Sequence, residues 1–214
     1  VYHCKGKESE IKVWFKTINI AGIPLNEQEF LNAIYSGPFV TLAKAEFSNS
    51  GNANIQKWSA YVSGSAQRQD YLATALSWVA GSKGQNTEGY MAAHRFDTNI
   101  KELKTYFNTV IDWVSGIFRD VESEMRGLEW GRLYEEYHGQ SYDPAKVSNT
   151  VQRLYEDDYI KSKRGIFEYV LGGETDTKLL EVRVFDEATK KTVYKKQTED
   201  AKKKDKSNCP LCAL

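Results

Sequence analysis

The chain has 214 residues, and its 29 basic and 29 acidic side chains give a formal net charge of zero. This balance excludes a global electrostatic preference for nucleic acid or membrane, so any such preference must be local. Its three Cys, an odd number, suit a reducing compartment, and its many helix formers with only four Pro favour an α-rich class. No apolar run approaches the roughly 20 residues that a membrane-spanning helix needs. We therefore expect a cytoplasmic protein with no membrane partner.

The stretch from Ile11 to Pro38 combines a helical pattern, turn residues and polar groups more densely than the rest of the chain. Apolar side chains at helical spacing predict an amphipathic helix over residues 8–18. Gly22 and Pro24 then predict a sharp turn, because Gly accepts positive φ and Pro disfavours helix in the residue before it.

A second helix is expected to begin after this turn. Asn26 and Glu29 have the spacing of a capping box, and Gly37-Pro38 ends the segment. The expected buried side consists of Phe30, Leu31 and Ile34. The turn would hold Asn19 close to Asn26. Two interpretations of these asparagines stay open, namely helix caps alone or polar groups of a site.

In the middle of the chain, the spacing of apolar residues predicts further helices, separated by a polar loop at 48–54 and a flexible segment at 81–89. These helices cover 39–47, 67–80, 97–119 and 128–137. Arg68 and Asp70 lie near the start of the second, either as a solvated first turn favoured by the helix dipole or as part of a site. The broad aromatic face of 97–119 predicts a central core helix. His138 follows the fourth helix and is expected to cap it or face solvent.

Asp143-Pro144 is typical of an N-cap followed by Pro at the first helical position, and it predicts a helix through about residue 155. Apolar segments follow at 165–171 and 179–185, and periodicity does not decide whether the second is a helix or a strand. The predicted fold is mainly α, with a remnant strand at Val1–Lys5 and a small mixed segment after residue 165. We divide the chain into 1–142, a helical or mixed subdomain at 143–189, and a tail at 190–214.

The tail from Lys190 to Lys206 contains eight Lys against three acidic residues, a local excess of five positive charges. Few apolar side chains remain there, which predicts an exposed helix or linker. The alternative to a solvated linker is contact with DNA phosphates, where each neutralised phosphate would add about 0.9 to the log-log salt slope. The residues for that contact are Lys202, Lys203, Lys204 and Lys206.

Cys209 and Cys212 have the two-residue spacing of a zinc knuckle. A redox motif is the alternative, but it normally opens a helix after a strand, and here a Lys-rich segment precedes it. Since zinc needs four ligands and Cys4 is the only other thiol, we expect the second pair of ligands downstream of Leu214.

The phrase FKTINIAGIPLNEQEFLNAIYSGPF, with RQDYLATALSW, YFNTVIDWVSGIF and LEWGRLYEEY, resembles the N-terminal family of GmrSD-type restriction endonucleases. Members of that family have a ParB-like nucleotide-binding core marked by a DGQQR motif, followed by a helical domain. The likeness covers most of residues 1–185. RVFDEATKKTVYKKQ and SNCPLC resemble the segment leading into an HNH nuclease domain. The DGQQR segment and the metal-binding His and Asn of the nuclease are not in these 214 residues, so we expect a fragment of a larger protein.

The resemblance implies a bacterial HNH-type DNA endonuclease of a restriction or anti-phage system, with DNA and a nucleotide as partners. It implies Asn19, Gly22 and Glu29 as residues of a nucleotide or DNA pocket, with Arg68 and Asp70 as a second set. It also implies zinc at the half site of Cys209 and Cys212, and a divalent metal and a nucleotide in the full-length protein. A homo-oligomer is compatible with this family. The rival hypothesis is a non-catalytic helical module that binds DNA or a partner protein through the Lys-rich tail.

Overall fold

The computed structural model describes residues 10, 13, 25–182 and 187–204. This part of the chain forms ten α-helices and no strand, which confirms the predicted mainly α class. The helices are α1 Glu27–Ile34, α2 Pro38–Phe47, α3 Ile55–Trp58, α4 Asp70–Ser82, α5 Thr87–His94, α6 Lys101–Ile117, α7 Trp130–Tyr137, α8 Pro144–Glu156, α9 Gly165–Leu171 and α10 Glu187–Lys203. Two 3-10 helices span Ser123–Met125 and Thr177–Leu180.

The helix predicted over 8–18 is described only at Glu10 and Val13, and both have helical backbone. The turn predicted at 19–24 and the strand predicted at Val1–Lys5 lie outside the described residues. No helix in the described part of the chain is both long and apolar enough to cross a bilayer.

Helix α6 lies at the centre of the core and packs against α4, α7 and α8. Its Phe107 is fully buried, with its ring edge-on to Phe47 and Trp58, at 5.2 Å between centroids in both cases. The same ring stacks on Trp78 at 5.1 Å. Edge-to-face and offset contacts of this kind stabilise beyond the burial of apolar area. The aromatic face of this helix is therefore core, as its periodicity predicts.

Two predicted helix caps are confirmed. Asn26 and Glu29 form a capping box, in which the Asn26 side chain accepts from the Glu29 N–H and the Glu29 carboxylate accepts from the Asn26 N–H. Asp143 accepts from the Ala145 N–H at 2.9 Å, with Pro144 at the first position of α8. These bonds satisfy amide groups that have no partner within the helix.

The buried face of α1 differs from the predicted one. Leu31 is buried, but its buried neighbours are Gln28 and Asn32, whereas Phe30 and Ile34 are half-buried against the edge of the core. The amides can be buried because they bond to each other and to the loop before α4.

Both ends of the segment 81–89, which the sequence predicts to be flexible, are helical, and residues 83–86 connect the two helices. Helix α4 continues through Ser82, and α5 begins at Thr87 because the Asn86 side chain accepts from the Gly89 N–H at 2.8 Å. The helix predicted from residue 67 begins only at Asp70, since Gln69 has φ 66°, a left-handed conformation that no α-helix continues through. The short helix α3 lies where no helix was predicted.

Helices α8 and α9 pack on each other, and α8 also packs on α6. Their buried side chains belong to the same hydrophobic cluster as those of α1 to α7. The division of the chain at residue 142 stays a prediction. The segment 179–185 begins inside the 3-10 helix Thr177–Leu180, and residues 183–185 lie outside the described part. Residues 190–203 of the tail belong to helix α10, and none of residues 189–204 is buried.

Candidate functional site

A polar cluster joins the N-terminus of α1 to the loop before α4. Arg68 Nη1 lies 3.5 Å from Glu29 Oε1, and the Asn26 side-chain amide donates to the Arg68 carbonyl at 2.7 Å. Glu29 Oε2 accepts from the Asn26 N–H at 2.9 Å, so one carboxylate both caps the helix and pairs with the arginine. The Arg68 side chain is 51% exposed and that of Glu29 only 16%. The structure thus brings together two of the predicted pocket residues.

Three amide side chains extend this cluster inwards. Gln28 Nε2 donates to Asn32 Oδ1 at 2.8 Å, and Asn32 Nδ2 donates to Gln69 Oε1. Gln28 and Asn32 are each 6% exposed. A non-Gly residue with positive φ is sparsely populated and costs of order 1 kcal/mol, which the bond from Asn32 helps to offset at Gln69. Sequence analysis missed these amides, although the four-residue spacing of Gln28 and Asn32 places them on one helix face.

Asp70 bonds to the loop that precedes α4. Its Oδ2 accepts from the Ser65 N–H at 2.7 Å, and the Asp70 N–H donates to the Ser65 carbonyl at 3.1 Å. Gly64, at φ +95°, passes so close that an added Cβ would lie 2.3 Å from Asp70 Oδ2. Asp70 therefore closes the tight loop before α4, and it is not the solvated first-turn residue that helix-dipole reasoning suggests.

The remaining predicted site residues divide into two groups. Lys202 and Lys203 lie in the last turn of α10, Lys204 directly follows it, and all three are exposed. Asn19, Gly22, Lys206, Cys209 and Cys212 lie outside the described residues. Among the residues that the structure describes, no three His, Cys, Asp or Glu side chains are placed to hold a metal ion. The half zinc site falls on undescribed residues and stays a prediction.

Three of the lysines of α10 share one side of the helix. Lys191, Lys195 and Lys202 are spaced by four and seven residues and so share a face, and Lys196 and Lys203 form the next row. Tyr194, 66% exposed, lies on another side. With 17 residues the helix is about 25 Å long. We call the row of Lys191, Lys195 and Lys202 the lysine face of α10. It belongs to the Lys-rich segment for which the sequence analysis considers contact with phosphates.

A groove between α4 and α7 was not predicted from the sequence. Its volume is about 320 Å³, and its lining includes Trp78, Gly81, Glu129, Arg132 and Glu135. Trp78 is 8% exposed. The groove could not have been found from the pattern of either helix, because it exists only where the two helices cross.

Arg132 organises the carboxylates beside this groove. Its guanidinium donates two hydrogen bonds to the Glu168 carboxylate, at 3.0 and 2.7 Å, and a third to Glu136 at 3.0 Å. Glu129 Oε2 lies 3.4 Å from Arg132 Nε. The hydrogen bonds to Glu168 raise the pKa of Arg132 further above its usual range. Glu129, Arg132 and Glu136 are spaced by three and four residues, and this spacing could have predicted their ion pairs from the sequence.

His94 and His138 have structural partners. His94 Nδ1 lies 2.7 Å from Asp97 Oδ2, and its Nε2 lies 3.8 Å from Glu102 Oε2. A hydrogen bond from Lys83 lowers the pKa of Glu102, which also accepts from the Tyr90 hydroxyl at 2.9 Å. His138 Nδ1 lies 2.7 Å from the Tyr134 carbonyl and so caps α7, as predicted. The His94 network ties α4, α5 and α6 together.

Comparison with protein-family models, with curated proteins and with solved structures gives no match for this chain. The class that its fold defines is a multi-helix α protein. Its candidate sites are the Glu29–Arg68 cluster, the lysine face of α10 and the α4–α7 groove.

Proposed function

We propose that the chain is the helical part of a bacterial HNH-type DNA endonuclease of a restriction or anti-phage system, which acts in the cytoplasm and is controlled by a nucleotide. The proposal rests on the sequence resemblance and on the position of a lysine-rich helix directly before Cys209 and Cys212. The catalytic groups and the second half of the zinc site would lie in the full-length protein. There a divalent metal would activate water and stabilise charge on the scissile phosphate.

The observation that supports DNA as a partner is the lysine face of α10. Lys191, Lys195 and Lys202 are all exposed along one side of the helix. Each strand of a DNA duplex carries one phosphate per about 3.4 Å of the duplex axis, so a helix of this length can lie beside several phosphates. Lysine contacts with phosphate carry no base specificity, and they would hold the nuclease on the duplex regardless of sequence.

The observation that supports an anionic ligand at the polar cluster is the exposed guanidinium of Arg68. Its distance to Glu29 is 3.5 Å, longer than the usual charge-assisted hydrogen bond of about 2.7–2.9 Å. A phosphate can therefore pair with the outer face of Arg68 while Glu29 stays bonded to the Asn26 N–H. The buried amides Gln28 and Asn32 hold the underlying backbone in place.

DNA binding is tested by fluorescence anisotropy with a duplex between 50 and 200 mM salt, the range over which phosphate contacts weaken strongly. Replacing Lys191, Lys195 and Lys202 with Gln should reduce the log-log salt slope by about 0.9 per lost contact. The matched control replaces Lys101, Lys146 and Lys161, three exposed lysines of the helical body. Equal slopes for the two triple variants would refute the role of α10.

The nuclease proposal has a separate test. The protein encoded by the full reading frame should cleave DNA in the presence of Mg²⁺ or Mn²⁺, and the 214-residue chain should bind without cleaving. Cleavage by the 214-residue chain would contradict our assignment of the catalytic groups to other residues.

Nucleotide binding is measured by calorimetry with ATP and GTP, where Arg68→Ala should weaken binding about tenfold, the loss of one charge-assisted contact.

The alternative function is a non-catalytic helical module that binds DNA or a partner protein. The same exposed α10 favours it, because lysine contacts with an acidic partner need no catalytic group. DNA binding by α10 without any metal-dependent cleavage by the full-length protein would favour this alternative.

A further inference from the structure

We propose that the groove between α4 and α7 receives the lysine face of α10 from a second copy of the chain. The inference goes beyond the proposed function, since it assigns a receptor surface to helices that have no role there. It combines three observations, namely an aromatic floor, an acidic rim and an exposed helix of opposite charge in the same chain.

The floor of the groove is shaped by two glycines and a tryptophan. A Cβ at Gly131 would lie 2.5 Å from Trp78 Cγ, so α7 approaches this ring as closely as only Gly allows. A Cβ at Gly81 would meet nothing within 4 Å, and this glycine leaves the groove open. One side of the Trp78 ring stacks on Phe107. The 8% of Trp78 that stays exposed offers an apolar contact for the aliphatic stem of a lysine, whose ammonium group can then reach the carboxylates beside it.

The rim of the groove carries excess negative charge. Glu129, Glu135 and Arg132 line the groove. Glu136 and Glu168 lie beside it, because both pair with Arg132. Four carboxylates thus stand against one guanidinium in the groove and the surface next to it. This gives an excess of three negative charges. Glu129 is the most accessible of those paired with Arg132, with 79% of its side chain exposed. Such a surface favours a partner with several positive charges at helical spacing.

The occupant is identified by charge complementarity. Lys191, Lys195 and Lys202 present positive charge at one-turn and two-turn spacing on α10. No residue of α10 lines the groove of its own chain, and residues 189–204 are not buried. A second copy can supply the helix. If each copy places its α10 in the groove of the other, the two form a closed dimer with two-fold symmetry.

This contact has a regulatory consequence that rests on the proposed function. If α10 also binds DNA phosphates, the groove and DNA compete for the same lysines. Dimer formation would then lower DNA affinity, and DNA would dissociate the dimer.

The test is sedimentation velocity of the 214-residue chain over a range of concentrations at 50 and 500 mM salt. We expect concentration-dependent self-association that weakens at high salt, because screening weakens exposed charge pairs. Gly81→Met should fill the groove and weaken association at least about tenfold. Gly116→Met is the matched control, since Gly116 is also a helical glycine whose Cβ would meet nothing within 4 Å, and it should associate like the wild type.

A second variant tests the charge. Glu129→Lys combined with Glu136→Lys should weaken association at low salt and leave DNA binding by α10 at least as strong as in the wild type. A monomer at every concentration in 50 mM salt, or equal association of the Gly81 and Gly116 variants, would overturn the inference. Self-association through the groove without any DNA binding would instead refute the proposed function and leave this inference standing.

Discussion

Gly131 of α7 lies directly against the indole ring of Trp78 in α4. A Cβ at position 131 would come within 2.5 Å of Trp78 Cγ and 2.7 Å of Cδ1. The ring cannot retreat easily, because it stacks on Phe107 at a centroid distance of 5.1 Å. The crossing of these two helices therefore depends on glycine at this position.

We expect Gly131→Ala to lower the free energy of unfolding by about 1–3 kcal/mol, because the added methyl group overpacks the interface. Gly116→Ala, in the open surface of α6, should raise it by about 0.5–1 kcal/mol through helix propensity alone. Urea denaturation of both variants measures the contrast. A stabilised Gly131→Ala variant would show that the two helices can separate at little cost.

The Phe107 side chain is expected to be the most sensitive position in the core. It is fully buried among Phe47, Trp58 and Trp78, so Phe107→Ala should cost about 3–5 kcal/mol. The control is Phe96→Ala, since Phe96 is 75% exposed and should change stability by no more than about 0.5 kcal/mol. Thermal or urea unfolding followed by circular dichroism checks both values. Similar losses for both variants would contradict the central position of α6.

Glu29 should stabilise the folded chain more by capping α1 than by its ion pair with Arg68. Glu29→Ala removes the acceptor for the Asn26 N–H and the partner of Arg68, and we expect a loss of about 1 kcal/mol. Arg68→Ala should cost at most about 0.5 kcal/mol, because the Arg68 side chain is 51% exposed and screened by solvent. A double-mutant cycle in urea measures the coupling between the two residues. Coupling well above 1 kcal/mol would show that the ion pair matters more than the cap.

The chain should lose stability at alkaline pH through two half-buried tyrosines, Tyr155 and Tyr137. Burial raises the pKa of Tyr155, which donates to Glu124 at 3.0 Å, and burial together with Glu136 raises the pKa of Tyr137 from 10.0 to about 12. The folded state thus favours the neutral phenols. These two phenols contribute fully to the free energy of unfolding below about pH 10, the pKa of tyrosine in the unfolded chain. The contribution is lost as the pH rises through their pKa in the folded chain.

Urea denaturation between pH 8 and pH 11 checks this expectation. Tyr155→Phe should flatten the alkaline loss, because phenylalanine cannot ionise. Tyr194→Phe is the control, since Tyr194 is 66% exposed and should leave the profile unchanged. Stability that stays constant or increases up to pH 11 would contradict the direction of these pKa shifts.

Local chemistry accounts for the features that sequence analysis predicted well. The capping box of Asn26 and Glu29 and the cap at Asp143 are decided within three residues, so their side chains alone specify them. The apolar spacing around Phe107 specifies a buried helix in the same way. The Asn86 cap likewise starts a helix at Thr87, inside a polar, Gly-containing stretch whose composition does not predict one.

By itself, the sequence determined the mainly α class, the central aromatic helix, the principal caps and the exposure of the Lys-rich segment, because each depends on residues within a turn or two of one another. Only the tertiary structure decided the pairing of Glu29 with Arg68, the burial of Gln28 and Asn32 against Gln69, and the Trp78 groove. These features join residues from helices far apart in the chain. Periodicity shows which face of a helix is buried, but the neighbour that covers that face is chosen by packing across the whole core.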